Sequence, residues 1–265
     1  MNKKLISFYP VGRYCNQLFT FLAAYSYSLK YGLECCLPST SLLIPDFPSI
    51  RVLQNHFIEM PYSVIHKEPS HGYNEIKYYG DTNVILDGYF QSEKYFNGYR
   101  KEIIELLEVP KEHQINLSYF IHIRIGDYKI YPTKHPIVSV NYLYNAISTM
   151  FKVTGLYEDI VLFTDTKCEA ELMMGKVKEM FYNKNNKHID YTFADMDEIH
   201  SLRLMSLMDH GIISNSTFSW FGAWLINNPD KIVISPSSEN WFGNENSHLS
   251  TKDLIPESWI QIKYE

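Results

Sequence analysis

The sequence predicts an α/β protein built on parallel, doubly wound sheets, and three observations carry that expectation. Short apolar runs, such as residues 5–8, 118–125 and 231–234, alternate with stretches of helical periodicity along the chain. Polar clusters follow several of those runs directly, where open α/β sheets hold their ligands. The composition is 45% hydrophobic and 15% aromatic over 265 residues, enough for a sizeable core and unlike a disordered or low-complexity chain. A net charge of −6 excludes a strongly basic nucleic-acid footprint, while a local basic pocket for a phosphorylated small molecule stays open.

Taken in order, residues 5–8 read as a buried strand, and the turn from Pro10 to Cys15 leads into a helix over 16–31. Asn16 is its expected N-cap and Gly32 its terminator. A second strand covers 33–37 and buries Cys35 and Cys36. Residues 38–83, with scattered Pro, His and Tyr, predict only loops and short elements. A strand over 83–90 and a helix over 92–109 follow, the helix capped by Ser92 and stopped by Pro110. The polar stretch 111–116 sets the expected division into domains 1–114 and 115–265. Beyond it, strands over 118–125, 159–163, 188–193, 212–213 and 231–234 alternate with helices over 140–151, 167–180, 195–210 and 217–226. In the third of these helices Ile199, Leu202, Met205 and Met208 recur three apart.

The N-terminal apolar run stops at Pro10, too short for a signal peptide, and no window approaches a membrane span. Cys15, Cys35, Cys36 and Cys168 have no metal-like spacing and fit free thiols in a reducing compartment. A cytoplasmic protein is therefore expected.

Three polar segments lie between a predicted strand and the next element. Gly12-Arg13-Tyr14-Cys15-Asn16-Gln17 opens a helix whose N–H groups suit an anion or a sugar hydroxyl; an ordinary turn capped by Asn16 reads equally well. In His122-Ile123-Arg124-Ile125-Gly126-Asp127-Tyr128, strand alternation puts His122 and Arg124 on one face, and guanidinium binds phosphate oxygens bidentately. The competing reading is a structural Arg124–Asp127 ion pair across Gly126. Ser214-Asn215-Ser216-Thr217-Phe218-Ser219-Trp220 offers hydroxyls and N–H groups at a helix start, as a phosphate cradle or as a simple cap. Trp220, Phe221 and Trp224 read as core.

These blocks resemble glycosyltransferase family 11, the α-1,2-fucosyltransferases that use GDP-fucose. Its motifs correspond here to residues 12–19, 122–128 and 214–225, to Asp87-Gly88-Tyr89-Phe90-Gln91-Ser92-Glu93-Lys94-Tyr95-Phe96, and to Pro256-Glu257-Ser258-Trp259-Ile260. Cys15 stands where the family usually has Gly. The resemblance implies a GT-B-like fold, two Rossmann-like halves facing across a cleft, with GDP-fucose on the C-terminal half and the acceptor on the N-terminal half. It implies inverting transfer of L-fucose to the 2-hydroxyl of a galactose-terminated glycan or lipid-linked oligosaccharide, in polysaccharide biosynthesis. A fucosyltransferase of different linkage and a non-catalytic sugar-binding protein are the alternatives.

Under that resemblance Arg124 binds the β-phosphate with His122 beside it. Asn16, Gln17, Ser214, Asn215, Ser216, Thr217 and Ser219 complete the nucleotide-sugar site, and Asp165 faces the guanine. Read locally, Asp165 serves equally as the cap of the next helix. Gly12, Arg13, Cys15, Asp87, Gln91 and Glu93 fall on the acceptor side. Fixed donors stabilise the charge that develops on the departing GDP, with Arg124 the strongest. Asp127, Glu93 and Asp87 are the candidate bases, and Arg124 with Asp127 form the expected catalytic pair. No cofactor or metal is expected. Asp195-Met196-Asp197 is a D-x-D, but Glu198 three residues after Asp195 makes a capping box. His56, His66, His71 and His135 lack ligand spacing and are expected in solvated loops.

Overall fold

The computed structural model describes residues 3–109, 119–156 and 159–264. The chain forms two compact units, Met1–Leu106 with Ser250–Pro256, and Leu107–Leu249 with Glu257–Glu265. The expected boundary between 114 and 115 lies outside the described residues. Each unit is a parallel-sheet α/β fold, as the strand–helix alternation predicts.

The first unit contains β1 (Leu5–Phe8), α1 (Tyr14–Tyr31), β2 (Glu34–Pro38), β3 (Arg51–Leu53), α2 (His56–Glu59), β4 (Val64–Lys67), β5 (Val84–Asp87) and α3 (Arg100–Leu106). Its sheet has the order β3-β2-β1-β5-β4, every pair parallel. All four residues of β1 are buried, as a strand covered on both faces must be. The chain runs to opposite sides from β1, so the topological switch point lies between β1 and β5. Asp253, from the returning C-terminal segment, accepts from Tyr73 N–H at 3.0 Å and Lys94 Nζ at 2.7 Å.

Several expectations need correction here. Helix α1 starts at Tyr14 with Arg13 in the cap position and no side-chain cap, so Asn16 sits inside the first turn. Gln17 N–H already bonds the Arg13 carbonyl at 3.0 Å, which winds the helix two residues early. The helix expected over 92–109 is broken: 3-10 turns at Glu93–Tyr95 and Asn97–Tyr99 precede α3. Ser92 does cap, but only the first of those turns. The stretch 38–83 supplies β3, α2 and β4, whose three or four residues are too few for periodicity to register.

The second unit contains β6 (Tyr119–Ile123), α4 (Val140–Thr154), β7 (Ile160–Thr164), α5 (Lys167–Asn185), β8 (Tyr191–Phe193), α6 (Glu198–Ser206), β9 (His210–Ile212), α7 (Thr217–Leu225), β10 (Val233–Pro236) and β11 (Ile260–Ile262). The sheet order is β11-β10-β9-β6-β7-β8, again all parallel. That is the doubly wound Rossmann order, with β6 first and the switch point between β6 and β9. Its core joins β6 residues Tyr119, Ile121 and Ile123 with Leu143, Ile147, Met174 and Phe181. Helix α7 is buried from Ser219 to Leu225, so Trp220 and Trp224 are core as read, stacked at 6.2 Å. Lys231 Nζ closes that helix, donating to the carbonyls of Ala223, Trp224 and Ile226 at 2.8–3.1 Å.

Helix α6 is shorter than expected and is capped by Asp197, not Asp195. Asp197 accepts from His200 N–H at 2.9 Å and holds the His200 ring at 2.7 Å, so the D-x-D residue nearest the helix does capping work. His210 and Gly211 belong to β9, because Gly211 N–H bonds Ile232 O and joins the sheet. Among the described residues no helix is long and apolar enough to cross a membrane.

Candidate active site

The second unit's switch point is where its polar residues converge. Strand β6 ends at Ile123, and Arg124 follows at once. Arg124 Nε and Nη2 reach Asp127 Oδ1 at 3.1 and 2.6 Å, and Nη1 reaches Asp165 Oδ2 at 3.0 Å. The guanidinium lies 5.8 Å from the Tyr128 ring centroid. With 16% of its side chain exposed against 47% for Asp127, Arg124 is a largely shielded cation held as a planar fork. The ion pair read from the sequence is present, and Asp165 adds a second partner from the end of β7.

Asp165 is not the cap of α5. Thr166 takes that position, without a side-chain cap bond, while Asp165 turns towards the neighbouring strand. Its Oδ1 accepts Ile125 N–H at 3.0 Å. Burial pushes the carboxyl's pKa up, but the N–H groups of Ile125 and Gly126 and the Arg124 charge outweigh it and hold the group below its ordinary value. A Cβ on Gly126 would collide with Asp165 Oδ2, so glycine is what lets the turn approach the carboxylate.

His122 lies inside the strand, 4% exposed, with Nδ1 2.8 Å from Ser214 Oγ across the β6–β9 gap. Burial pushes its pKa down to about 3, with Asp165 pulling up and Arg124 pushing further down. At neutral pH it is an uncharged imidazole, so Arg124 supplies the positive charge of this pair and His122 a hydrogen bond.

Side chains of the Ser214–Ser219 segment bond to carbonyls within the fold. Asn215 Nδ2 donates to the carbonyls of Pro136 and Trp241 at 2.9 and 3.0 Å, and Tyr128 Oη donates to Asn215 O at 2.8 Å. Ser219 Oγ donates to the carbonyls of Ser214 and Ser216 at 3.5 and 3.3 Å. Ser216 occupies the N-cap of α7 without a side-chain cap bond, and half-buried Thr217 opens the helix. The segment's anion-binding capacity therefore lies chiefly in the main-chain N–H groups of the first turn of α7.

In the first unit the switch point joins the turns after β1 and β5. Gln91 Nε2 donates to Asn16 Oδ1 at 3.1 Å, linking the two. Gln17 is buried; its amide donates to Gly12 O and accepts from Ser41 Oγ and Leu42 N–H, so it shapes the loop. Gly12 and Arg13 are exposed, whereas Cys15 is 5% exposed and packs inward. Asp87 faces Lys67 at 4.0 Å, and Glu93 lies near Arg100. The histidines expected in solvated loops are packed: His56 Nε2 bonds Ser7 Oγ at 2.9 Å, His66 Nδ1 bonds Tyr79 Oη at 2.8 Å, and His71 and His135 stack on Tyr89 and Tyr128. Among the described residues no three His, Cys, Asp or Glu side chains gather as a metal site.

The profile of the family described as "Glycosyl transferase family 11" matches residues 39–263, most of the chain. The chain belongs to glycosyl transferase family 11. The match begins after Gly12–Phe19, so that block rests on the sequence resemblance alone. The chain is 31% identical over 208 residues to the O-antigen biosynthesis glycosyltransferase WbnK of Escherichia coli, covering 71% of this chain and 64% of that protein. It is 28% identical over 201 residues to an alpha-1,2-colitosyltransferase of Escherichia coli, covering 68% and 63%. The chain thus spans less than two thirds of either relative. The NodZ alpha-1,6-fucosyltransferase co-crystallised with GDP aligns at TM-score 0.47 and 14% identity, covering 88% of this chain and 95% of that one.

The sequence drew attention to Arg124, His122, Asp127, Asp165 and the Ser214 segment, and the fold brings these five together. It did not mark Glu68, which lies in the illegible stretch. Its role shows only in the structure, where Gly88 and Phe90 of the turn it bonds adopt positive φ.

Proposed function

We propose that this glycosyltransferase moves L-fucose from GDP-β-L-fucose, with inversion, to the 2-hydroxyl of a galactose-terminated glycan or lipid-linked oligosaccharide. The observation that carries the reading is the Arg124 fork, held between Asp127 and Asp165 beside the N-terminus of α7. Two anion-binding devices, a guanidinium and a helix N-terminus, lie at one switch point, where a diphosphate fits. The family membership supports a sugar donor.

As the fucose–phosphate bond breaks, its electron pair leaves with the β-phosphate while positive charge builds on the anomeric carbon. Arg124 and the α7 N–H groups stabilise the departing GDP, and neutral His122, paired with Ser214, adds no charge of its own. Asp127 is the half-exposed partner of the fork, so a phosphate oxygen exchanges for it more readily than for Asp165. The carboxylate so released is assigned to take the acceptor hydroxyl's proton. Asn16 and Gln91, with Gly12, Arg13, Asp87 and Glu93 around them, are assigned to the acceptor sugar. No metal is required, because Arg124 and backbone donors meet the phosphate charge. The four cysteines form no disulfide, which fits work in the cytoplasm.

The test is GDP release from GDP-fucose with and without galactosides, with linkage analysis of the product. Acceptor-dependent release and a 1,2-linked fucose are expected; no release with any galactoside refutes the reading. Asp127→Asn should lower kcat at least tenfold while leaving the GDP Kd within a few-fold; a changed Kd with normal kcat would make Asp127 only a partner of the fork. The likeness to an alpha-1,2-colitosyltransferase favours one second reading, a colitosyl donor in place of fucose. Competition of a colitosyl nucleotide against GDP-fucose separates them.

A further inference from the structure

Glu68 follows the last residue of β4 and reaches the turn after the neighbouring strand β5. Its Oε2 accepts Tyr89 N–H at 2.8 Å and its Oε1 accepts Phe90 N–H at 3.1 Å. One carboxylate thus takes two successive main-chain donors, one on each oxygen. The turn it holds is conformationally expensive. Gly88 has φ +155 and Phe90, fully buried, has φ +51, a left-handed geometry that a bulky L-residue adopts only when its surroundings impose it. A Cβ on Gly88 would collide with the Glu68 side chain, so the approach is as close as the backbone allows.

The turn is fixed from its other side as well. Thr20 Oγ1, on α1, donates to the carbonyl of Gly88 at 3.0 Å, and Gln91 then reaches Asn16. The second unit repeats the construction. Asp165 follows the end of β7, takes Ile125 N–H after the adjacent β6, and abuts a glycine, Gly126. There the device orients Arg124; in the first unit its output is the Gln91–Asn16 pair. Burial outweighs both N–H bonds and raises the Glu68 pKa, as befits a carboxylate retained inside the fold for its acceptor geometry.

We propose that Glu68 is the positioning residue of the acceptor side. It holds the Gly88–Gln91 turn so that Gln91 and Asn16 meet the hydroxyls of the acceptor sugar at the β1–β5 switch point. This rests on the acceptor assignment made above.

Glu68→Gln tests it. The carboxamide keeps one oxygen and turns an NH2 group against the other N–H, so one of the two donors loses its acceptor. With GDP-fucose and lactose as probes, kcat/KM for lactose should fall about 10- to 100-fold, mainly through KM, as a displaced positioning group typically costs. The GDP Kd by calorimetry should stay within twofold, and amide exchange over residues 88–91 should speed up at least tenfold. Gly88→Ala strains the same contact from the other side and should give the same pattern. An unchanged lactose KM in folded Glu68→Gln overturns the proposal, and so does a GDP Kd that rises in parallel. If the wild-type chain transfers nothing from GDP-fucose, the functional reading falls instead. The exchange measurement then decides Glu68 alone: unchanged exchange over 88–91 refutes its hold on the turn.

Discussion

Asp165→Asn separates two roles that one carboxylate can play beside a nucleotide. In this structure Asp165 is engaged with Arg124 Nη1 at 3.0 Å and Ile125 N–H at 3.0 Å. The amide either keeps the Ile125 bond and turns its NH2 group against Arg124, or offers Arg124 an uncharged oxygen and loses the Ile125 bond. Hydrogen bonds to charged groups contribute about 1.5–3 kcal/mol, and a side chain 25% exposed belongs at the lower end of that range. A loss of about 1.5 kcal/mol is roughly tenfold, and misorientation of the fork in the transition state adds to it. We expect kcat to drop about 10- to 100-fold and the GDP Kd to change no more than a few-fold. The decisive assay compares GDP with inosine diphosphate, which lacks the 2-amino group that a guanine-facing carboxylate would accept. Unchanged discrimination with a depressed kcat supports the arginine-orienting role. Collapse of the discrimination with near-normal kcat would refute this reasoning and give Asp165 to the base.

Other outcomes follow from the same geometry. Arg124→Lys should lose about 100-fold or more in turnover, because lysine keeps the charge but cannot span Asp127, Asp165 and a phosphate as a planar fork; near-normal turnover in the folded variant would remove Arg124 from its role. EDTA should leave the rate unchanged, and a loss restored by added metal would reopen the Asp195–Asp197 reading. Cys15→Gly should lower stability by about 1–2 kcal/mol, from lost burial and a glycine in the first turn of α1. A tenfold shift in acceptor KM with unchanged melting would instead put Cys15 in contact with the acceptor. Stability should fall on acidification below about pH 6.5, because the unfolded His122 binds a proton there and the folded one, at about 3, does not. That single group accounts for about 2 kcal/mol between pH 7.5 and pH 5, where Asp165 remains ionised. His56, His66, His135 and His210, all lowered by burial, act in the same direction. Equal urea midpoints at pH 7.5 and pH 5 would contradict this.

The sequence by itself determined the elements whose pattern is local and long. Alternation of apolar runs and amphipathic helices announced two parallel-sheet halves, and α4, α5, β6 and β7 emerged within a few residues of their expected limits. It also picked out Arg124, His122 and the Ser214 segment, because each follows or ends a strand whose carboxyl end must face the ligand side of its sheet. Tertiary structure decided what those side chains bond. Asp165 read equally as a guanine-facing carboxylate and as a helix cap, but in the fold its carboxylate takes N–H groups and a cation from the adjacent strand. Asn16 likewise left the cap for Gln91, 75 residues away, and His122 became a neutral group only because β6, β9 and α7 close around it. Glu68 is the extreme case. Nothing in the sequence around it marks it out, because its partners are main-chain N–H groups brought near by the pairing of β4 with β5. Local pattern records the preferences of neighbours in the chain, whereas strand register sets which polar groups meet, and that register is fixed only when the sheet forms.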